Sequence, residues 1–130
     1  MVDHIAPLVG MHFHPPAKAL LQVLPKGAKL NIIPEPHNPY DSNALAIYVD
    51  ASAIPVSEHD TLETLALPFG YSVDDIMAAG EWHLGYIKAT HAVEIVQRVN
   101  EALARDCLRA SLAFGADGKP QVHISFGTES

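Results

Sequence analysis

From Ala44 onward, Leu45, Ile47 and Val49 alternate with Ala44, Ala46 and Tyr48. That period of two predicts a strand with one apolar face. Leu30, Ile32 and Ile33 predict a second strand just upstream of it. The apolar run over residues 5–14 predicts the first strand, with Gly10 marking a bulge or a close backbone approach, and Pro15-Pro16 ends it. Pro16 suits the first turn of a short helix through Ala17–Leu24, which Pro25-Lys26-Gly27 stops. Downstream, His83 to Ile87 predict a short strand. Thr90 is placed to cap a helix from about His91 to Arg105, where Ala92, Val96, Val99 and Leu103 recur at helical spacing. Leu108, Ala110, Leu112 and Phe114 then alternate up to Gly115-Ala116-Asp117-Gly118, and Val122, Ile124 and Phe126 alternate beyond it, an Asp-Gly hairpin. About five to six strands with two or three helices predict a mainly β protein with peripheral helices (α+β), a small β-barrel of OB or SH3-like kind.

Composition sets the bounds. At 130 residues and 48% apolar, the chain makes one domain with a real core. No apolar run approaches the ~18 residues of a membrane span. Met1-Val2-Asp3-His4 gives no basic start to an apolar stretch, so no export signal is expected, and the lone Cys107 suits a reducing, cytoplasmic setting. The net charge of −7 argues against a general nucleic-acid binder. Its distribution alters that inference. Seven of the fifteen acids (Asp50, Glu58, Asp60, Glu63, Asp74, Asp75, Glu81) lie between Asp50 and His83 with no Lys or Arg among them, leaving eight acids against eight bases elsewhere. This acidic insertion, at about 50–83, is the least regular stretch. Ser72-Val73-Asp74-Asp75 predicts an N-cap with acids in the first turn, and Ile76, Met77 and Ala79-Gly80 complete a short helix. The rest reads as surface loop. Leu62, Leu65, Leu67, Phe69 and Trp82 need burial while the carboxylates must stay outside, so an ordered flap is expected, either gating a neighbouring pocket or docking a protein partner.

The most informative stretch joins the second and third strands. Pro34, Pro36 and Pro39 exclude a helix, and Asn38-Pro39-Tyr40-Asp41 fits a type I turn. Asp41 and Asn43 can hydrogen-bond nearby backbone, so a stiff frame presents Asn38, Tyr40 and Asp41. The run Glu35-Pro36-x-Asn38-Pro39-Tyr40-Asp41-x-Asn43-Ala44-x-Ala46-Ile47-x-Val49 resembles the signature of the HIRAN domain. That β-rich module occurs in eukaryotic DNA-repair helicase-like proteins and alone in bacterial and phage proteins. Val9-Gly10-Met11-His12-Phe13-His14 looks like the family's first strand, and Leu84-Gly85-Tyr86-Ile87-Lys88 like its Gly-hydrophobic strand before a helix.

The resemblance implies a single domain over residues 1–130 whose pocket takes the free 3′ end of single-stranded DNA. Matched motif to motif, Phe13 and Tyr40 would stack on the terminal base, and Asp41 would accept from its 3′-hydroxyl. Asn38 would be a polar clamp, and Tyr86 and Lys88 would line the same site, with Lys88 in reach of a phosphate. His12 and His14 stand where DNA-binding members carry Arg and Tyr, and a neutral His12 at pH 7 gives no charge contact to phosphate. Catalytic signals are thin. His12 and His14 share a strand face at metal-pair spacing but lack a third ligand, Glu58-His59-Asp60 has no nucleophile partner, and no Gly-rich phosphate loop or Gly-x-Ser-x-Gly occurs. The sequence therefore points to a non-catalytic module for single-stranded DNA 3′ ends, accessory to repair or replication, with neither cofactor nor metal expected. The alternatives are a protein-interaction module using the insertion or the same pocket and, further off, a metal-dependent hydrolase.

Overall fold

A computed structural model describes residues 2–11 and 16–127. Its strands are β1 (Val2–Val9), β2 (Lys29–Pro34), β3 (Leu45–Asp50), β4 (Glu81–Ile87), β5 (Leu108–Phe114) and β6 (Pro120–Phe126). They close into an antiparallel barrel in the order β1-β4-β3-β2-β5-β6. Helices α1 (Ala17–Val23), α2 (His59–Ala66), α3 (Val73–Ala79) and α4 (Ala89–Ala104) lie around it. A small barrel with peripheral helices is what the alternating patterns predict.

Leu45, Ile47 and Val49 are fully buried with Leu30, Leu84, Leu112 and Ile124, which fill the barrel. Ala44 and Ala46 are buried too, so β3 is covered on both faces; Ala46 has Tyr86 directly across from it on β4. The first strand is shorter at its end than the apolar run suggests. It stops at Val9, and Gly10, expected inside it, leaves it with a φ of 80°. His12, Phe13 and His14 lie outside the described residues. On α4 the buried stripe is Ala92, Ile95, Val99 and Ala102, whereas Leu103 is 41% exposed. Thr90 falls inside the first turn; Lys88 holds the N-cap position with no side-chain cap, and its backbone N–H donates to the Pro7 carbonyl at 3.0 Å.

The acidic insertion is more regular than its sequence suggests. Residues expected as loop form α2, flanked by short 3₁₀ turns at Val56–Glu58 and Leu67–Phe69. The α3 start is as expected: Ser72 and Asp75 cap each other's backbone reciprocally. Leu62, Ala66 and Ile76 are fully buried in the common core, Leu65 and Trp82 pack against it, and the Trp82 indole N–H donates to the Ile76 carbonyl at 2.9 Å. Leu67 and Phe69, expected to be buried, are 59% and 47% exposed on the short turn they form after α2. The segment is therefore part of the core on one side and carries an apolar, acidic exterior on the other.

Closure rests on one seam. Among the described residues, β1 and β4 share only the pairs Leu8↔Ile87 and Val9↔Tyr86. Gly85 faces this seam, and a Cβ there would run into the Val9 carbonyl oxygen, backbone that has no room to yield. Gly118 makes the opposite case. It sits in the hairpin at φ +79° with open space around it, so only its backbone conformation calls for glycine. We expect Gly85→Ala to cost on the order of 3 kcal/mol and to lower the melting temperature by roughly 10 °C, and Gly118→Ala to cost only about 1 kcal/mol. Thermal denaturation of the two variants side by side checks this; equal losses would show that steric closure at Gly85 is not limiting.

Candidate nucleic-acid interface

The loop between β2 and β3 is shaped by its own polar groups. Its neck is closed by the Glu35 N–H donating to the Ala44 carbonyl at 2.9 Å. Inside, the Asn38 Oδ1 accepts from the Tyr40 and Asp41 backbone N–H groups at 2.9 and 3.2 Å, and the Asp41 Oδ1 accepts from the Asn43 N–H at 2.9 Å. These are the side chain-to-backbone turns that Asn and Asp favour. Asn38 therefore acts as a brace within the loop, where the resemblance assigns it a ligand clamp. Tyr40 is 96% exposed, held outward on this frame with no packing partner beneath it.

Glu35 links the loop to the barrel. Its Oε1 accepts from the Asn38 amide at 3.0 Å and from the Tyr86 hydroxyl at 2.9 Å. Partial burial, together with this carboxylate, pushes the Tyr86 phenol up to about 12. Tyr86 pairs with Val9 on one side and Ala46 on the other. It thus stands where the end of β1 leaves towards Gly10, Met11 and the undescribed His12–His14. Lys88 follows two residues later, exposed at the start of α4. Of the residues singled out in the sequence, Asn38 and Tyr86 meet on Glu35, Tyr40 and Asp41 are held by Asn38 within the loop, and Lys88 follows Tyr86 by two residues in the chain. Glu35, which bonds Asn38 and Tyr86, belongs to the motif, yet the resemblance assigns it no role.

Other groupings are not visible in the sequence. Tyr48 and His83 stack on the outer face of β3 and β4 with ring centroids 4.5 Å apart. The His4 and His91 rings meet at 2.9 Å between nitrogens, and partial burial, followed by the charge of His91, lowers the pKa of His4. The two are 87 residues apart in sequence. An open groove of about 600 Å³ lies between α1 and the β5–β6 hairpin, lined by Met11, Lys18, Leu21, Gln22, Phe114 and Pro120. Phe114, expected to point inward with Leu112, is 37% exposed there. The Nε2 of His59 in α2 is buried with no hydrogen-bond partner among the described residues. Among those residues, no three His, Cys, Asp or Glu side chains come together as a metal site, and no helix is long and apolar enough to cross a membrane.

No protein-family model and no curated protein sequence matches this chain. Solved structures do. The chain superposes on the HIRAN domain of human HLTF with a TM-score of 0.53 at 17% identity, over 95% of this chain and 74% of that one. The fold is HIRAN-like. A protein from Lactobacillus plantarum matches with a TM-score of 0.54 at 14% identity, over 95% of both chains. At these identities the likeness concerns the HIRAN-like fold alone. The loop and the Gly85–Lys88 strand end have a physical account of their own, since Gly85 closes the barrel and Glu35 ties the loop to Tyr86.

Glu35→Gln should lower the Tyr86 pKa from about 12 towards its ordinary value near ~10 without reaching it, because burial, the larger cause, persists. The sign for stability follows from the raised value. The contribution of the protonated phenol is complete below pH ~10 and is lost as pH rises through about 12. Ultraviolet titration of the phenols in the two proteins checks it, and an unchanged Tyr86 pKa in Glu35→Gln would mean that the carboxylate does not bear on Tyr86.

Proposed function

We propose that this chain is a non-catalytic DNA-binding module that takes a free 3′ end of single-stranded DNA at the β2–β3 loop, and that it acts in the cytoplasm as an accessory to repair or replication. The observation that carries the reading is Tyr40, a large ring 96% exposed on a loop whose shape is fixed by Asn38 and Asp41. An unpacked aromatic on a rigid frame is a ready stacking surface for a base, and it needs no ordering when the ligand arrives. Asp41, half-buried beside it, is the acceptor for the 3′-hydroxyl. Lys88 supplies a phosphate contact, and Phe13, His12 and His14 complete the residues this reading assigns to the ligand. The likeness to the HIRAN domain of HLTF supports this arrangement at the level of the fold. A second reading, a protein partner docked on the insertion, is favoured by Val56, Leu67 and Phe69, which are 81%, 59% and 47% exposed among its acids.

Fluorescence anisotropy with single-stranded oligonucleotides bearing free and phosphate-blocked 3′ ends tests the proposal. We expect preference for the free end, and roughly tenfold or greater loss of affinity in Tyr40→Ala, the scale of one base stacked on an aromatic, with an unchanged melting temperature. Affinity should fall as salt rises, as contacts to phosphate do. Equal affinity for blocked and free ends would remove the end-specific reading. Absence of any DNA binding, with binding of a protein partner abolished by Leu67→Ser, would favour the second.

A further inference from the structure

Beyond the loop, the outer face of β2, β3 and β4 carries a built cluster. Asn31 lies across from Tyr48, Tyr48 across from His83, and Asp50 across from Glu81. The Tyr48 and His83 rings are parallel to within 13° at 4.5 Å, and Tyr86 meets His83 edge-on at 4.9 Å and 72°. The His83 Nε2–H donates to the Gly85 carbonyl at 3.0 Å, which fixes the plane of the central ring. Carboxylates border the rings at both ends. Glu35 accepts from the Tyr86 hydroxyl, and Glu81 stands 3.5 Å from the Asn31 amide. The Tyr48 phenol is raised, chiefly by burial and then by the charges of Glu35 and Glu81, so both carboxylates act on the same ring.

This arrangement has a cost in the free protein. Asp50 and Glu81 are exposed like charges directly opposite each other on adjacent strands, a pairing that destabilises a sheet. Lys29 lies two residues before Asn31, at the rim towards β5, where its ladder partner is Ser111. Three carboxylates against this base and Lys88, two residues beyond Tyr86, still leave the face negative, and the π-faces of the rings add to that sign. A phosphate backbone is repelled here. A cation is attracted, and a guanidinium suits the site best, since it lies flat on an aromatic ring while donating to carboxylates at its edge.

We propose that the Tyr48–His83–Tyr86 face, bordered by Asp50, Glu81 and Glu35, docks an arginine-bearing basic segment of a partner protein. The partner's cation would replace a like-charge repulsion with an opposite-charge contact, and the rings would supply the flat surface that makes the site selective for arginine. The role is separate from DNA binding at Tyr40, with Glu35 and Tyr86 as the residues common to both places.

The test uses the intact chain and a fluorescein-labelled arginine-rich peptide, with its lysine and glutamate counterparts and a single-stranded oligonucleotide. Amide shift mapping locates the contacts. We expect saturable binding of the arginine peptide, tighter than lysine by several-fold, no binding of the glutamate peptide, and shifts confined to β2, β3 and β4. Glu81→Gln and Tyr48→Leu should each weaken it about five- to tenfold. Asp60→Asn and Asp74→Asn, exposed acids on the insertion, should change it less than about twofold, as screened remote charges do. Glu81→Gln should also raise the melting temperature slightly, since it relieves Asp50. That exposed substitution keeps the test decisive if Tyr48→Leu folds poorly. Equal weakening by the insertion variants, or non-saturating binding, would overturn the proposal as general electrostatics. Tighter binding of the oligonucleotide with the same shifts would overturn it in favour of a nucleic-acid face.

Discussion

The barrel depends on a backbone approach that only glycine permits. β1 and β4 meet over two residue pairs, and Gly85 presents no side chain to the Val9 carbonyl at that point. Much follows from this short seam. It brings Tyr86 beside Val9, and so fixes where the chain leaves β1 relative to the end of β4. It lets the Lys88 N–H reach the Pro7 carbonyl, which starts α4 without a side-chain cap. It also offers the Gly85 carbonyl to His83, which orients the ring stacked on Tyr48. One absent Cβ thereby positions the loop site and the aromatic face alike.

A second constraint governs the loop. Residues that make a turn and residues that hold a ligand are drawn from the same polar set, and a given lone pair serves one purpose at a time. Asn38 uses its oxygen on the Tyr40 and Asp41 amides and its nitrogen on Glu35, so what it confers on the loop is rigidity. Glu35, a carboxylate with two donors on one oxygen, couples that rigidity to Tyr86 on the barrel. Tyr40, 96% exposed, is the ring this frame leaves open to solvent.

How legible all this is in the sequence depends on range. The alternations in β3, β5 and β6, the Asp-Gly hairpin and the Ser72 cap are readable because each is set by neighbours in the chain. The end of β1 is misplaced because Val9, Gly10 and Met11 continue an apolar run, and the run does not report the positive φ of Gly10. The α4 stripe is offset because Val96 and Leu103 are as apolar as Ile95 and Ala102, and only the packing decides which set faces the barrel. Helix α2 escapes notice between Pro55 and Pro68, although Leu62, Leu65 and Ala66 follow helical spacing. At the site, the motif marks the loop, but the Glu35–Tyr86 contact spans 51 residues and the Tyr48–His83 stack needs the bulged register of β3 and β4. Such contacts are properties of the closed barrel and carry no local signature.

Charge then separates the two surfaces that the closed barrel creates. From Glu81 to Lys88 the chain advances seven residues, roughly 23 Å of extended strand, against a screening length of about 8 Å at physiological salt. The acids opposed at Asp50 and Glu81 therefore set the potential at the Tyr48 end of the face and are screened at the Lys88 end. A net charge of −7 does not by itself fix the sign at either end of β4, where Lys88 follows one end and Asp50 and Glu81 face each other at the other. The total describes the molecule's solubility. The sign of a surface is decided by the groups within a screening length of it, and along β4 these run from Asp50 and Glu81 at one end, past Glu35 at Tyr86, to Lys88 at the other.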